Sequence, residues 1–168
     1  MNEFEQILSG GDLRKIGNSN VVVKLIHNQN DFDKLFTLLF HANRLIVMRA
    51  ADAIEKISAH FPQYLNKHKQ EIFSISETVK NKELQWHLAL LLPRVSLSGD
   101  EFNYTWEISM NWAKDKTNSR IVRVNSMQAL FELSRQNKKF AKKFQQLIGE
   151  LQKENIPSIN ARIRKLKV

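Results

Sequence analysis

Three windows of this sequence, Arg44–Ser58, Lys82–Ser96 and Arg120–Ser134, can be laid over one another without a gap, each 38 residues after the last. A fixed period of this length means units that cannot bury their apolar faces alone and must stack into one continuous core. In register, Ile46, Leu84 and Val122 coincide, as do Met48, Trp86 and Val124, then Ile54, Leu92 and Leu130, then Ile57, Val95 and Leu133. Within the first window Ile46, Ala50, Ala53, Ile54 and Ile57 fall at i, i+4, i+7, i+8 and i+11, which is one face of a helix. Burying each large side chain of that face contributes about 1.5–3 kcal/mol, more than helix propensity supplies in water. Each window therefore predicts an amphipathic helix held by stacking, and Ala50, Ala51, Ala53, Ala89 and Ala129 let neighbouring helices approach closely.

Second helices with their own start signals lie between the windows: Asp31 before Phe32 to Leu39, Pro62 before Tyr64 to Ile75, and Asp100 before Phe102 to Ala113. The expected organisation is one domain over residues 1–168. It comprises an N-terminal cap at 1–30, helix-pair repeats at 31–58, 62–96 and 100–134, and a basic C-terminal cap at 137–168. In the N-terminal cap the pattern predicts a short helix from Phe4 to Leu8, a turn at Ser9-Gly10-Gly11, and a helical stretch Val21 to Ile26 capped by Asn18 or Ser19. In the C-terminal cap it predicts a helix from about Asn137 to Leu151, a break at Asn155-Ile156-Pro157-Ser158, and a last helix from Ile159 to Leu166, a truncated copy of the repeated window. Val21-Val22-Val23 is the one β-branched run, and it sits inside a helical pattern, so no strand is expected.

The windows beginning at Arg44, Lys82 and Arg120 resemble the second helices of HEAT/armadillo-type repeats, over about residues 31–166. The chain is also similar to small bacterial HEAT-like proteins in Gly11-Asp12-Leu13-Arg14-Lys15-Ile16-Gly17, in Met48-Arg49-Ala50-Ala51-Asp52-Ala53, and in Trp86-His87 with Pro93-Arg94. The resemblance implies an all-α fold, a right-handed α-α superhelix of antiparallel helix pairs. It also implies that the second helices line a concave binding face. Repeat scaffolds host unrelated functions, so the fold alone does not give the activity.

Chemistry is bounded more by what is missing. With no cysteine, thiol nucleophiles, Cys-ligated zinc and disulfides are excluded. The five histidines, His27, His41, His60, His68 and His87, lack metal-ligand spacing, and there is no glycine-rich phosphate loop or nucleophile elbow. No cofactor or metal is expected, and catalysis has no positive support. The acidic start Met1 to Glu5 lacks the order of a secretory signal, and the longest apolar run, Leu88 to Leu92, is far too short to span a bilayer. A cytoplasmic location without membrane association is expected of a chain complete as given.

The net charge of +9 is concentrated: residues 1–134 carry 16 basic and 15 acidic side chains, residues 135–168 carry 10 basic against Glu150 and Glu154. Two sets of candidate residues follow. Arg49, Asp52 and Lys56 fall three and four residues apart on a strip opposite the buried stripe, with counterparts His87 and Arg94 in the second window and Gln128 in the third. This strip is expected either to be an ordinary solvated face or to bind an acidic or extended peptide. Trp86 shares its register with Met48 and Val124 and is expected to pack, while Pro93 should free the Ala89 carbonyl and kink its helix. The second set, Lys138, Lys139, Lys142, Lys143, Arg162, Arg164 and Lys165, either keeps a terminal repeat soluble or contacts phosphates. The leading expectation is thus a non-enzymatic interaction module for a protein or peptide. The alternative is nucleic-acid binding of the kind seen in HEAT-like DNA-repair glycosylases, although Asp52 with Trp86 is only a loose match to such a site.

Overall fold

The computed structural model describes residues 3–10 and 17–166, and among them every regular element is helical. The Gly11–Ile16 part of the segment cited above for its resemblance lies outside the described residues, as does Gly11 of the predicted turn. Two compact units divide the chain, residues 1–78 and 79–168. The boundary falls inside the expected 62–96 repeat, between its first and second helices.

Unit 1 contains α1 (Glu3–Ser9), α2 (Gly17–Leu25), α3 (Gln29–Phe36), α4 (Arg44–Ser58) and α5 (Lys69–Thr78), with short 3-10 segments at Thr37–Phe40 and Pro62–His68. The first repeated window is α4, helical over its full predicted length. It packs against α1, α2 and α3, and Ile46, Ala50, Ala53, Ile54 and Ile57 are buried as the spacing requires. Unit 2 contains α6 (Lys82–Leu91), α7 (Gly99–Lys114), α8 (Arg120–Gln136), α9 (Ala141–Gln152) and α10 (Pro157–Leu166). Here α8 is the central layer, flanked by α6, α7, α9 and α10. Trp106, Met127, Leu130, Leu133, Phe144, Leu147, Ile148, Leu151, Ile159 and Ile163 form its core.

Several start signals act one residue or one mechanism away from where they were expected. α3 begins at Gln29 because Asn28, not Asp31, caps it, its side chain accepting from the Asp31 amide at 3.0 Å. α7 begins at Gly99 because Ser98 and Glu101 form a reciprocal capping box. Pro62 opens a 3-10 turn before α5, not α5 itself. Neither Asn18 nor Ser19 caps α2: both lie inside it, and their side chains reach outward, Asn18 to the Ile7 and Gly10 carbonyls and Ser19 to Asp52. The repeated windows themselves are capped by Asn43, Asn81 and Ser119, whose side chains accept from Leu45, Glu83 and Val122 amides. These caps recur at the same 38-residue interval, so the period carries the helix starts as well as the core.

Pro93 terminates its helix instead of kinking it. α6 stops at Leu91, a 3-10 turn runs from Leu92 to Arg94, and Val95 is extended. The missing proline N–H fits the first positions of that turn, and the Pro93 carbonyl accepts from Gln136 at 2.9 Å. The second window is therefore shorter than its Ser96 end implies. At the C-terminal end a 3-10 turn, Lys138–Phe140, precedes α9. Asn155 adopts φ 53° in the turn before α10, a left-handed conformation that asparagine tolerates better than most residues. The chain then reverses and Pro157 opens α10.

Candidate functional site

A helix that is stacked within layers is covered on its partner side and on both flanks. In α4, Ile46, Val47, Arg49, Ala50, Ala51, Ala53, Ile54, Ile57 and Ser58 are all buried. At 100° per residue these positions span more than half of the helix circumference, far wider than the stripe read from apolar spacing. Arg49 lies at the edge of that arc. It is 0% exposed, and its Nη1 donates to the Leu8 and Gly10 carbonyls at 2.6 Å each, holding the C-terminal end of α1. The expectation that Arg49 lies on the solvated strip is thus corrected. His87, in the same register, is buried for the same reason. Asn125, the third residue of the series, is also buried and its Nδ2 donates to the Trp86 carbonyl at 3.0 Å. At Arg49 and Asn125 this register position joins one helix to another.

The partly exposed ridge runs one residue earlier, through Met48, Asp52 and Lys56 in α4 and through Trp86, Leu90 and Arg94 after it. The expectation that Trp86 packs like its register mates is corrected in part: Trp86 and Met48 are partly exposed, Val124 is buried, and Trp106 and Trp112 are both buried. In unit 1 the ridge is engaged by the N-terminal cap. Asp52 accepts from Ser19 and, at 2.6 Å, from Lys56, whose Nζ also donates to Asn20 at 2.7 Å. Asp52 and Lys56 thus pair at i, i+4, and through Ser19 and Asn20 they fasten α2 to α4.

In unit 2 the ridge positions are Trp86, Leu90 and Arg94 on α6 and its 3-10 extension, and Gln128 and Glu132 on α8. α6 and α10 both pack against α8. Gln128 donates to Glu132 at 2.9 Å and accepts from Arg162 of α10 at 3.0 Å. Burial lowers the Arg162 guanidinium from its ordinary value, and the charge of Glu132 offsets only part of that. Arg162 thus belongs to this network and not to the basic surface with which it was grouped. Lys138, Lys139, Lys142, Lys143, Arg164 and Lys165 are exposed as expected.

Two buried polar clusters escaped the sequence reading. Arg123, 3% exposed, donates from Nε to the Ala113 carbonyl at 2.8 Å and from Nη2 to both Glu154 oxygens at 2.9 Å. It joins the end of α7 to the turn before α10. In unit 1, His68 stacks on Phe36 with ring centroids 4.0 Å apart and bonds Asp33 at 2.7 Å through Nε2. Burial raises the Asp33 carboxyl, but hydrogen bonds from Lys67, Gln29 and His68 and the charge of His68 outweigh it and hold the group at about 2. Nothing in linear spacing marks the Arg123–Glu154 and Asp33–His68 pairs, which lie 31 and 35 residues apart. Among the described residues no group of three or more acidic or histidine side chains is arranged to hold a metal, and no helix is long and apolar enough to cross a membrane.

Compared with known proteins, residues 5–167 match the HEAT repeat domain family. No curated protein and no solved structure gives a match.

Proposed function

The chain belongs to the HEAT repeat family, and from that premise we propose that it is a non-enzymatic interaction module whose binding surface is the second-helix ridge of unit 2. The observation that carries this reading is the ridge of α6 and the 3-10 turn after it, where Trp86, Leu90 and Arg94 follow one another at four-residue intervals and remain partly exposed. An aromatic, an aliphatic and a cationic side chain in line offer an anchor for an extended peptide. Gln128 and Glu132 supply the adjacent polar rim, held in place by Arg162. Asp52 and Lys56 take no part, because the Ser19 and Asn20 contacts of the N-terminal cap already occupy them.

The test is affinity capture from native extract with wild type, with Trp86→Ala plus Arg94→Glu, and with Asp52→Asn. Wild type and Asp52→Asn should retain the same defined protein, and the ridge variant should lose it while keeping the wild-type circular dichroism. Equal recovery by the folded ridge variant would refute the assignment.

A further inference from the structure

We propose that one end of unit 2 binds the phosphate backbone of duplex nucleic acid without reading its sequence. The turn before α9 and the first turn of α9 carry Lys138, Lys139, Lys142 and Lys143, all exposed. None of these four ammonium groups is ion-paired to a described residue, whereas Lys34, Lys56, Lys67 and Lys114 all are. Lys143 lies over the Phe140 ring at 5.4 Å, which leaves its charge in place.

Chain reversal adds to the cluster. The short connections from α8 to α9 and from α9 to α10 make successive helices antiparallel, so the C-terminal ends of α8 and α10 lie at the same end as the start of α9. Those ends carry the exposed Arg135, Arg164 and Lys165. Glu150 and Glu154, the acidic residues of the 135–168 segment, fall near the opposite end of the hairpin, where Glu150 pairs with Lys114 and Glu154 with Arg123. Within residues 135–168 the cations therefore gather at one end and the two acids at the other, while α7, whose Phe102 packs on Phe140, brings Asp100 and Glu101 of its first turn to the lysine end, so that the cations outnumber the acids there.

Helix stability does not explain this arrangement. Arg135, Arg164 and Lys165 suit the negative ends of their helices, but four lysines at a helix start oppose both the macrodipole and one another. A polyanion removes that repulsion. The surface chemistry also separates the polyanions. Among the described residues of unit 2 the exposed large apolar side chain is Ile121, at the start of α8 and so away from these lysines, which leaves nothing on this end of the unit to insert into a bilayer. Phe140 is turned inward against Phe102 and Trp106, so it offers no platform for unstacked bases. Lysines in two i, i+4 columns, acting as point charges, fit a regular backbone of paired strands.

The experiment is a salt titration of the full chain with a mixed-sequence DNA duplex, read by fluorescence anisotropy. Four phosphate contacts give a slope of log affinity on log salt of about −3.6, an affinity loss of about 150-fold between 50 and 200 mM salt. Lys138→Gln plus Lys142→Gln should flatten the slope to about −1.8, while Lys116→Gln, in the turn between α7 and α8 at the other end of α8, should leave it unchanged. Single-stranded DNA of the same length, polyglutamate and phosphatidylserine vesicles complete the comparison, and each should bind more weakly than the duplex. No duplex binding at 50 mM salt, a slope the lysine substitutions do not move, or equal lysine-dependent binding of polyglutamate, single strands or vesicles would each overturn the proposal.

Discussion

Residues 1–78 carry nine basic and nine acidic side chains, whereas residues 79–168 carry 17 basic and eight acidic, so the whole net charge of the chain resides in unit 2. Unit 1 turns its charges on itself: Asp33 holds Lys67 and His68, Asp52 holds Lys56, and buried Arg49 holds backbone carbonyls of α1. Unit 2 has its own internal pair, Arg123 with Glu154, yet leaves a cluster of cations in water. The lesson is that one repeat pattern supports two uses of charge. Where the N-terminal cap packs on the second-helix ridge of unit 1, its polar residues become fasteners; in unit 2 the ridge positions Trp86, Leu90 and Arg94 stay partly exposed.

The sharpest way to break this contrast is through the two buried arginines. Arg123→Met should destabilise the protein by about 3 kcal/mol, because it strands the Glu154 carboxylate and the Ala113 carbonyl. Adding Glu154→Gln should recover part of the loss in urea unfolding; a double variant no better than the single would deny that the pair is coupled. Arg49→Met should cost about 2 kcal/mol, because it strands the Leu8 and Gly10 carbonyls. An effect under half a kcal/mol would mean that Arg49 does not fasten α1.

The third comparison concerns Asp33, and the sign follows from its shift. Its folded-state carboxyl sits at about 2, below the ordinary 3.8, so its stabilisation is present above about pH 4 and is lost as pH falls towards 2. Asp33→Asn should lower stability at pH 7 by about 1 kcal/mol and flatten the acid side of the stability profile. A variant that keeps the wild-type acid dependence would place that dependence elsewhere. The smallest expected effect belongs to unit 2: Lys138→Gln with Lys142→Gln should leave thermal stability unchanged or raise it by a few tenths of a kcal/mol at low salt. A clear loss of melting temperature would show that these lysines serve the fold.

Much of the architecture was legible because it is periodic. The helices at Arg44, Lys82 and Arg120 start where the windows start, and Ile54, Leu92 and Leu130 are each fully buried in their own unit. The candidate site was only half legible. Asp52 and Lys56 do form their i, i+4 pair, and Arg94 and Gln128 do lie on the ridge, but Arg49 and His87 do not. The error came from treating α4 and α6 as helices packed on one side, for which a charged residue beside the apolar stripe reaches water. In a stack the flanks are covered as well, so a charged residue at the flank must find acceptors inside.

What the amino-acid order determined alone is the period, the helix type, the caps at Asn43, Asn81 and Ser119, and the segregation of charge along the chain, because each is a local or repeating property of side chains and backbone. What only the tertiary structure decided is which polar residue meets which: Arg49 with α1, Arg123 with Glu154, Arg162 with Gln128, and the gathering of three helix ends into one basic surface. Those meetings depend on how chain reversals bring residues some 30 to 40 positions apart to within 3 Å, and a hydrogen bond at that range has no signature in linear spacing.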